Sequence, residues 1–380
     1  MNHPKVLVFI DWYLPGYRAG GPVRSLANLV DHLRQELQFL IVTSDTDYTE
    51  ERPYPDIRPD LWTPLHGGEQ VWYASKQGRT LATWRRLLRE QGPDAIYING
   101  LYSFWSTVVP LWSTRRSDTL RIVAVRGMLA KGAMRHGRLK KRIFISMMRA
   151  LGLFRGVRFQ ATNAEEVEDV RHWFGRQAEV VCVPNLPRKV SAPGTAGRGK
   201  TPGRLHLVSI ARVAVEKNTL LAIQVLNGLK GDVTFDLYGP VYDQGYWQRC
   251  REAIEALPAG VTVRHHGPVE PTAVPDLLDR YHALLMPSAG ENFGHTMLEA
   301  LTAGVPLVIS DRTPWRELED AHAGADLPLE RPERFTAFLQ RLVDMDQEAY
   351  DRLVEGATAL SGRYLSDPQA VDRAYRTFLP

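Results

Sequence analysis

Cysteine is scarce in this chain: Cys182 and Cys250 are the only two among 380 residues. No disulfide framework can rest on them, and a reducing compartment is expected. A strong charge imbalance is also missing, since 47 Lys and Arg face 43 Asp and Glu, and the net charge of +4 does not by itself argue for nucleic acid. Long hydrophobic runs are absent too. The apolar stretch before Asp11, about six residues, is too short for a signal peptide or a membrane span, and it reads as the first buried strand of a soluble, cytoplasmic protein. What remains is a chain with 44% hydrophobic residues, long enough for two domains of ordinary size.

Those domains can be drawn from alternation. Lys5 to Ile10 is a continuous apolar run, the pattern of a parallel strand covered on both faces. A long loop follows, with Gly20 and Gly21 where a helix from about Val23 to Leu33 begins, so backbone could face a phosphate there. The turn is too long for a GxGxxG dinucleotide fingerprint, and a flexible loop fits the glycine pair equally well. Strand-like runs at 39–43, 70–73, 95–98, 122–125 and 180–183, with helical stretches between several of them, predict a parallel α/β sheet. The proline-rich stretch 184–204 has no periodicity and reads as a linker. From Leu205 the alternation restarts. The expected division is a first Rossmann-like domain at 1–185, a linker at 186–204, a second Rossmann-like domain at 205–364 and a closing helix at 365–380, with a cleft between the two domains.

Chemistry concentrates in Pro287 to Ser310, which reads as strand end, glycine-punctuated loop, helix and strand. A helix starting near Gly294 or His295 leaves its first N–H groups unpaired and carries partial positive charge, which makes its mouth an anion site. Gly290 and Gly294 let backbone approach that anion. Glu291 just outside the helix and Glu299 a turn inside it cannot bind phosphate, but they accept hydrogen bonds from sugar hydroxyls. A ligand with a phosphate centre and hydroxyls on both sides, such as a nucleotide-sugar, satisfies all of them. Taken singly, Glu299 also fits an ordinary exposed helix position, and the glycines fit ordinary caps. Arg212 and Lys217 follow the first strand of the second domain, where an arginine fork and a lysine point charge suit a diphosphate.

Other polar features carry less. Asp45-Thr46-Asp47 matches a metal-binding DxD superficially, but without a supporting cluster it reads as a loop feature, and no metal is expected. His265 and His266, adjacent on a strand, point to opposite faces and are poor co-ligands; the Gly267-Pro268-Val269 loop after them could meet a base through its backbone. Between Thr119 and Ala164 there is no acidic residue, while basic residues from Arg126 to Arg158 interleave with bulky apolar ones. That pattern suits an anionic membrane surface, and it also suits a core helix with a solvated basic face. Nucleic acid is not expected as a partner, because no recognised binding motif accompanies the charge.

The spacing of Glu291 and Glu299 within PSAGENFGHTMLEALTAGVPLV, preceded by SIARVAVEKN with Arg212 and Lys217, resembles retaining glycosyltransferase family 4 of the GT-B fold. PGYRAGGPVRSLANL resembles its amino-terminal glycine loop, and CVPN resembles its hinge. The resemblance implies transfer of a sugar from a nucleoside diphosphate sugar with retained configuration and without cofactor or metal ion. It implies that Arg212 and Lys217 hold the diphosphate, Glu291 meets the donor sugar and Glu299 holds the ribose. Asn292, Phe293 and Gly294 would lie beside the sugar and phosphates, with Gly20 and Gly21 closing from the other domain. Asn99, Arg126 and Gly127 are placed on the acceptor side. Many family members carry a histidine where this chain has Arg126, and an arginine stays protonated and cannot act as a base, so its expected role is electrostatic or acceptor-binding. RGML and, after Asp311, TPWREL resemble subgroups of polysaccharide assembly, which implies a glycan or lipid-linked acceptor on the inner face of a membrane. A nucleotide-sugar epimerase and a non-catalytic nucleotide-sugar-binding protein remain open as alternatives.

Overall fold

The computed structural model of the chain describes residues 3–65, 67–135, 138–189 and 198–380; the side chains of Lys131, Arg135, Arg138 and Pro368 lie outside that description. It divides into two compact units, Met1–Lys189 with Asp367–Pro380, and Val190–Ser366.

The first unit is built on β1 (Lys5–Phe9), β2 (Gln38–Ser44), β3 (Trp62–Pro64), β4 (Gln70–Ala74), β5 (Ala95–Asn99), β6 (Leu120–Ala124), β7 (Arg158–Ala161) and β8 (Glu179–Cys182). Their order is β3-β4-β2-β1-β5-β6-β7-β8. All pairings are parallel except β3 with β4. Helices α1 (Gly21–Leu33), α2 (Leu81–Gln91), α3 (Val109–Thr114), α4 (Lys131–Arg135), α5 (Arg138–Ala150) and α6 (Ala164–Phe174) cover the faces. Strand β1 shows why its sequence is apolar after Lys5: Val6 and Val8 enter the core beneath α1, while Leu7 and Phe9 enter the core on the other face. Alternate side chains leave a strand on opposite faces, so a strand buried on both has no polar position to spare. Antiparallel β3 lies in the stretch that composition marks as irregular, and three residues are too few to show a period.

The second unit repeats the plan with β9 (Arg204–Ile210), β10 (Asp232–Tyr238), β11 (Val261–Gly267), β12 (Ala283–Met286), β13 (Leu307–Ser310) and β14 (Gly324–Leu327), ordered β11-β10-β9-β12-β13-β14 and parallel throughout. Its helices are α7 (Thr219–Gln224), α8 (Gln244–Glu255), α9 (Val274–Leu278), α10 (His295–Thr302), α11 (Pro332–Asp344) and α12 (Gln347–Leu365). A last helix, α13 (Pro368–Arg376), packs on α1 of the first unit, and Phe378 beyond it contacts the rings of Phe39 and Tyr97.

The stretch expected as a linker is only partly one. Residues 190–197 lie outside the described residues, but Arg198 and Lys200 are buried in the second unit. Arg198 donates to the carbonyls of Ala303 and Gly304 just past α10, and Lys200 Nζ donates to Val343 and Met345 at the end of α11, at 3.1 and 3.0 Å. Helix ends leave carbonyls unpaired, and here two cations from an irregular segment satisfy them. Composition sees only Gly, Pro and small residues there, because this bonding is tertiary.

Beside that segment His282 is buried and neutral. Its Nδ1 accepts the His206 N–H at 3.0 Å, and its Nε2–H donates to the Gly199 carbonyl at 3.1 Å. Burial pushes its pKa down from 6.5 to about 4. The unfolded chain therefore takes up the proton first, so the stability that neutral His282 supports is fully present above pH 6.5 and is lost as pH falls from there towards 4. The shift corresponds to about 3 kcal/mol at most. Replacing His282 with Asn is expected to shrink the fall in melting temperature between pH 7 and pH 4.5 in a thermal scan; an unchanged fall would remove His282 as its source.

Candidate functional site

In an open α/β sheet, ligands bind outside the carboxyl ends of the strands where the chain switches direction across the sheet. In the second unit the switch lies between β9 and β12, because the chain proceeds from β9 outward to β11 and then returns to β12. Arg212 and Lys217 follow β9, and the Glu291 loop and α10 follow β12. Residues 74 positions apart in sequence meet there: Lys217 Nζ lies 2.5 Å from Glu291 Oε1, with side chains only 20% and 12% exposed. The loops are joined by backbone as well. Ala289 N–H donates to the Glu216 carbonyl at 2.9 Å, and Glu291 N–H to the Arg312 carbonyl at 3.3 Å. Arg212 is more exposed and pairs with Glu216 at 2.9 Å, so its fork is held near the site by a contact that a stronger anion can displace.

Helix α10 begins at Gly294, whose φ of 78° is left-handed; a Cβ there would come within 2.8 Å of Met297 Sδ. Gly294, as the N-cap, has no side chain with which to cap that end. Beneath it Trp315 is fully buried and donates from Nε1 to the Phe293 carbonyl at 2.6 Å. The Phe293 ring is likewise buried, against His295 and Trp315. Phe293 thus anchors the loop with its ring and carbonyl, which leaves its N–H as the group that could serve a ligand. Glu299 is half-buried one turn inside α10, and Asn292 is half-buried at its mouth.

The floor is shaped by a residue that the sequence reading passed over. Gly239 ends β10 with φ 154°, and a Cβ there would lie 1.9 Å from the Ala211 carbonyl oxygen. That contact sits directly before Arg212. Gly239 N–H donates to the Gly267 carbonyl at 2.7 Å, its own carbonyl meets His265 Nε2 at 2.8 Å, and Ala211 N–H donates to the Tyr238 carbonyl at 2.9 Å, so the ends of β9, β10 and β11 are sewn together. Gly267 has φ 75° with open space around it, and Val269 packs partly into the core beneath. His265 and His266 do point apart: His265 contacts Trp247, while His266 stacks on Tyr238 and lies 3.0 Å from Asp236.

In the first unit the switch lies between β1 and β5. Gly20 caps α1 with φ 75°, and neither Gly20 nor Gly21 has an atom within 4 Å of where a Cβ would stand. The DxD resemblance has a structural cause: Asp47 accepts the N–H groups of Tyr17, Arg18 and Tyr48 at 3.0, 3.3 and 2.7 Å, latching the glycine loop. Among the described residues no group of carboxylates, histidines and cysteines could hold a metal ion.

Arg126 is bonded into the first unit. Its guanidinium donates to Asn99 Oδ1 at 2.6 Å, to the Tyr97 hydroxyl at 2.7 Å and to Asn185 Oδ1, while Asn99 in turn donates to the Pro22 carbonyl at 3.1 Å. Buried Asn99 therefore ties the glycine-loop side of the switch point to Arg126, and the two residues brace the unit internally. Gly127 N–H is bound by buried Glu166. A group that could meet a ligand hydroxyl here is Asp11, at the end of β1. Its Oδ1 accepts from Ser103 and Ser106 at 2.5 and 2.7 Å, which steadies the carboxylate at the sheet edge.

Two parallel α/β units of this kind define the GT-B class of glycosyltransferase. Two family models match adjoining parts of the chain: "Glycosyl transferase 4-like domain" over residues 20–186 and "Glycosyl transferases group 1" over 197–359. The chain belongs to the glycosyltransferases. Solved structures share the fold at low identity. HepE from Anabaena, in complex with UDP-glucose, is 16% identical with a TM-score of 0.71, covering 99% of each chain. Sucrose-phosphate synthase from Thermosynechococcus elongatus is 11% identical at 0.74, covering 99% of this chain and 98% of its own. WaaG, a glycosyltransferase involved in lipopolysaccharide biosynthesis, is 13% identical at 0.66, covering 98% of each. No curated protein matches the sequence significantly.

Proposed function

We propose that the chain is a retaining, metal-independent glycosyltransferase that moves a sugar from a uridine diphosphate sugar to a lipid-linked glycan in surface polysaccharide assembly. The observation that carries this reading is the Lys217–Glu291 pair at the switch point of the second sheet. Without donor, each neutralises the other. A diphosphate arriving at the mouth of α10 competes for Lys217 and leaves Glu291 to accept a hydroxyl of the donor sugar. Arg212 exchanges Glu216 for the same diphosphate. As the glycosidic bond breaks, negative charge grows on the leaving diphosphate, where Lys217, Arg212 and the helix N–H groups stabilise it. Glu299 holds the ribose, and the Gly267 to Val269 backbone meets the base. Gly20 and Gly21 leave room for phosphate at α1. Uridine is supported by the UDP-glucose held by HepE, and a glycan acceptor by the role of WaaG in lipopolysaccharide biosynthesis.

Transfer is expected to survive EDTA, and proton NMR of the product is expected to show the donor's anomeric configuration. Strict dependence on a divalent metal would overturn the metal-free mechanism, and an inverted product would overturn retention.

A further inference from the structure

The carboxyl edge of the first sheet carries aromatic rings that face outward. After β5 the chain makes one wide π-helical turn, Phe104–Val108, in which the Val108 N–H reaches five residues back to the Ser103 carbonyl at 3.1 Å, and it runs on directly as α3. Val109 and Leu111 enter the core, whereas Phe104 and Trp112 are 56% and 36% exposed, with half-buried Val108 between them. Eight residues of plain α-helix overshoot two turns by about 80°. The wider turn takes back part of that overshoot, which brings Phe104 and Trp112 towards one face, about 12 Å apart along the axis.

These rings are anchored. Phe104 meets Trp105 edge to face at 5.0 Å, Trp105 packs on buried Trp84 at 5.4 Å, and Trp84 Nε1 donates to the Trp105 carbonyl at 2.8 Å. Further along, the Arg115 guanidinium lies 3.8 Å from the centre of the Trp112 ring and donates to the Trp112 carbonyl at 2.8 Å. The same turn holds Asp11 at the switch point. Ser103 and Ser106 both donate to its Oδ1, and among the described residues its Oδ2 has no donor.

Fixed, exposed rings beside a carboxylate fit a sugar chain. A sugar ring has an apolar C–H face that lies on an aromatic ring, and hydroxyls around its rim that donate to a carboxylate oxygen. An apolar protein side chain would leave Asp11 Oδ2 without a donor, and the phosphates of a nucleic acid would be repelled by it. The span from Phe104 to Trp112, about 12 Å, is the reach of an oligosaccharide and exceeds that of one sugar ring. We infer that the acceptor is bound as an oligosaccharide, with the sugar nearest the switch point stacked on Phe104, a hydroxyl of it on Asp11 Oδ2, and the chain continuing over Trp112 and Arg115. The inference rests on the proposed glycan acceptor and adds its class: the enzyme elongates a chain that earlier glycosyl transfers have supplied.

The test is an array of bacterial surface glycans, from monosaccharides to hexasaccharides, probed with the full chain in the presence of UDP, followed by titration of the tightest binder by tryptophan fluorescence. Wild type is expected to bind trisaccharides and longer chains about tenfold or more tighter than their single sugars, and Phe104→Ala to weaken that binding by about tenfold. Phe104→Tyr keeps a flat ring and should retain it, whereas Phe104→Leu keeps only apolar bulk and should not. Asp11→Asn preserves an oxygen for both serines but loses the charge, and should also weaken binding. Thermal stabilisation by UDP, read in parallel, reports the donor site and should not change in any variant. Binding to no glycan, equal affinity for single sugars and chains, unchanged affinity in Phe104→Ala or Asp11→Asn, or full retention in Phe104→Leu overturns the inference. So does a wild-type dimer that Phe104→Ala converts to monomer without any glycan binding. Absence of UDP stabilisation in wild type would instead strike the proposed function, which separates the two failures.

Discussion

Lys217→Ala is expected to lower kcat/KM by about a hundredfold or more, and Glu291→Ala by a similar factor, because each removes a group that meets the donor as charge develops. The structure adds a second expectation. The pair is mostly buried, so removing either partner leaves the other charged and uncompensated, and the single variants should also melt lower. The double variant should recover part of that stability without recovering activity. Lys217→Arg is informative as well: it keeps the charge but places a planar fork where the fit to Glu291 is a point contact, so folding should persist while turnover falls. Near-normal kcat/KM in Lys217→Ala would sink the assignment of the pair. A loss in kcat/KM fully explained by unfolding, seen as equal activity per folded molecule, would leave the pair structural only.

The two partners, though not their contact, stood out in sequence because each sits in a local pattern: a cation shortly after a buried strand, and a carboxylate before a helix mouth. The two α/β units were legible for a similar reason, since doubly covered strands such as β1 and β5 are apolar except for one end residue, Lys5 and Asn99. What could not be read depends on contacts between distant segments. Short strands such as β3 and β14 show no period. Arg198 and Lys200 look like linker residues until the ends of α10 and α11 are placed beside them. The bonds of Arg126 to Asn99, Tyr97 and Asn185 are equally invisible in sequence. Helix α5 was partly visible as basic and apolar interleaving, but the sequence could not separate the apolar residues turned to the core from those turned outward. Burial of Ile145 and Met148 and exposure of Ile143 and Met147 make that separation.

Gly239→Ala is the second substitution with a large expected effect, and it tests the architecture of the site without touching any charged group. A Cβ at this position would lie 1.9 Å from the Ala211 carbonyl oxygen and 3.0 Å from the Arg212 nitrogen, both backbone atoms that cannot rotate away. The φ of 154° is one that side-chain-bearing residues rarely adopt, so strain adds to the clash. Relief requires the end of β10 to part from the end of β9. That movement would distort the Gly239 N–H contact with Gly267 and shift Arg212 relative to the mouth of α10. The expected cost is about 3 kcal/mol or more. For domains of this size each kcal/mol lowers the melting temperature by roughly 2–4 °C, so a fall of about 6–12 °C is expected. UDP should stabilise the variant less than wild type even at temperatures where both are folded, because the diphosphate cations are no longer in register. Ala at Gly92, the left-handed residue that ends α2, is the control. That glycine also has positive φ but open space around it, so only conformational strain should appear, about 1 kcal/mol, with UDP stabilisation retained. If Gly239→Ala melted and bound UDP like wild type, the close approach of β9 and β10 would not be what positions Arg212.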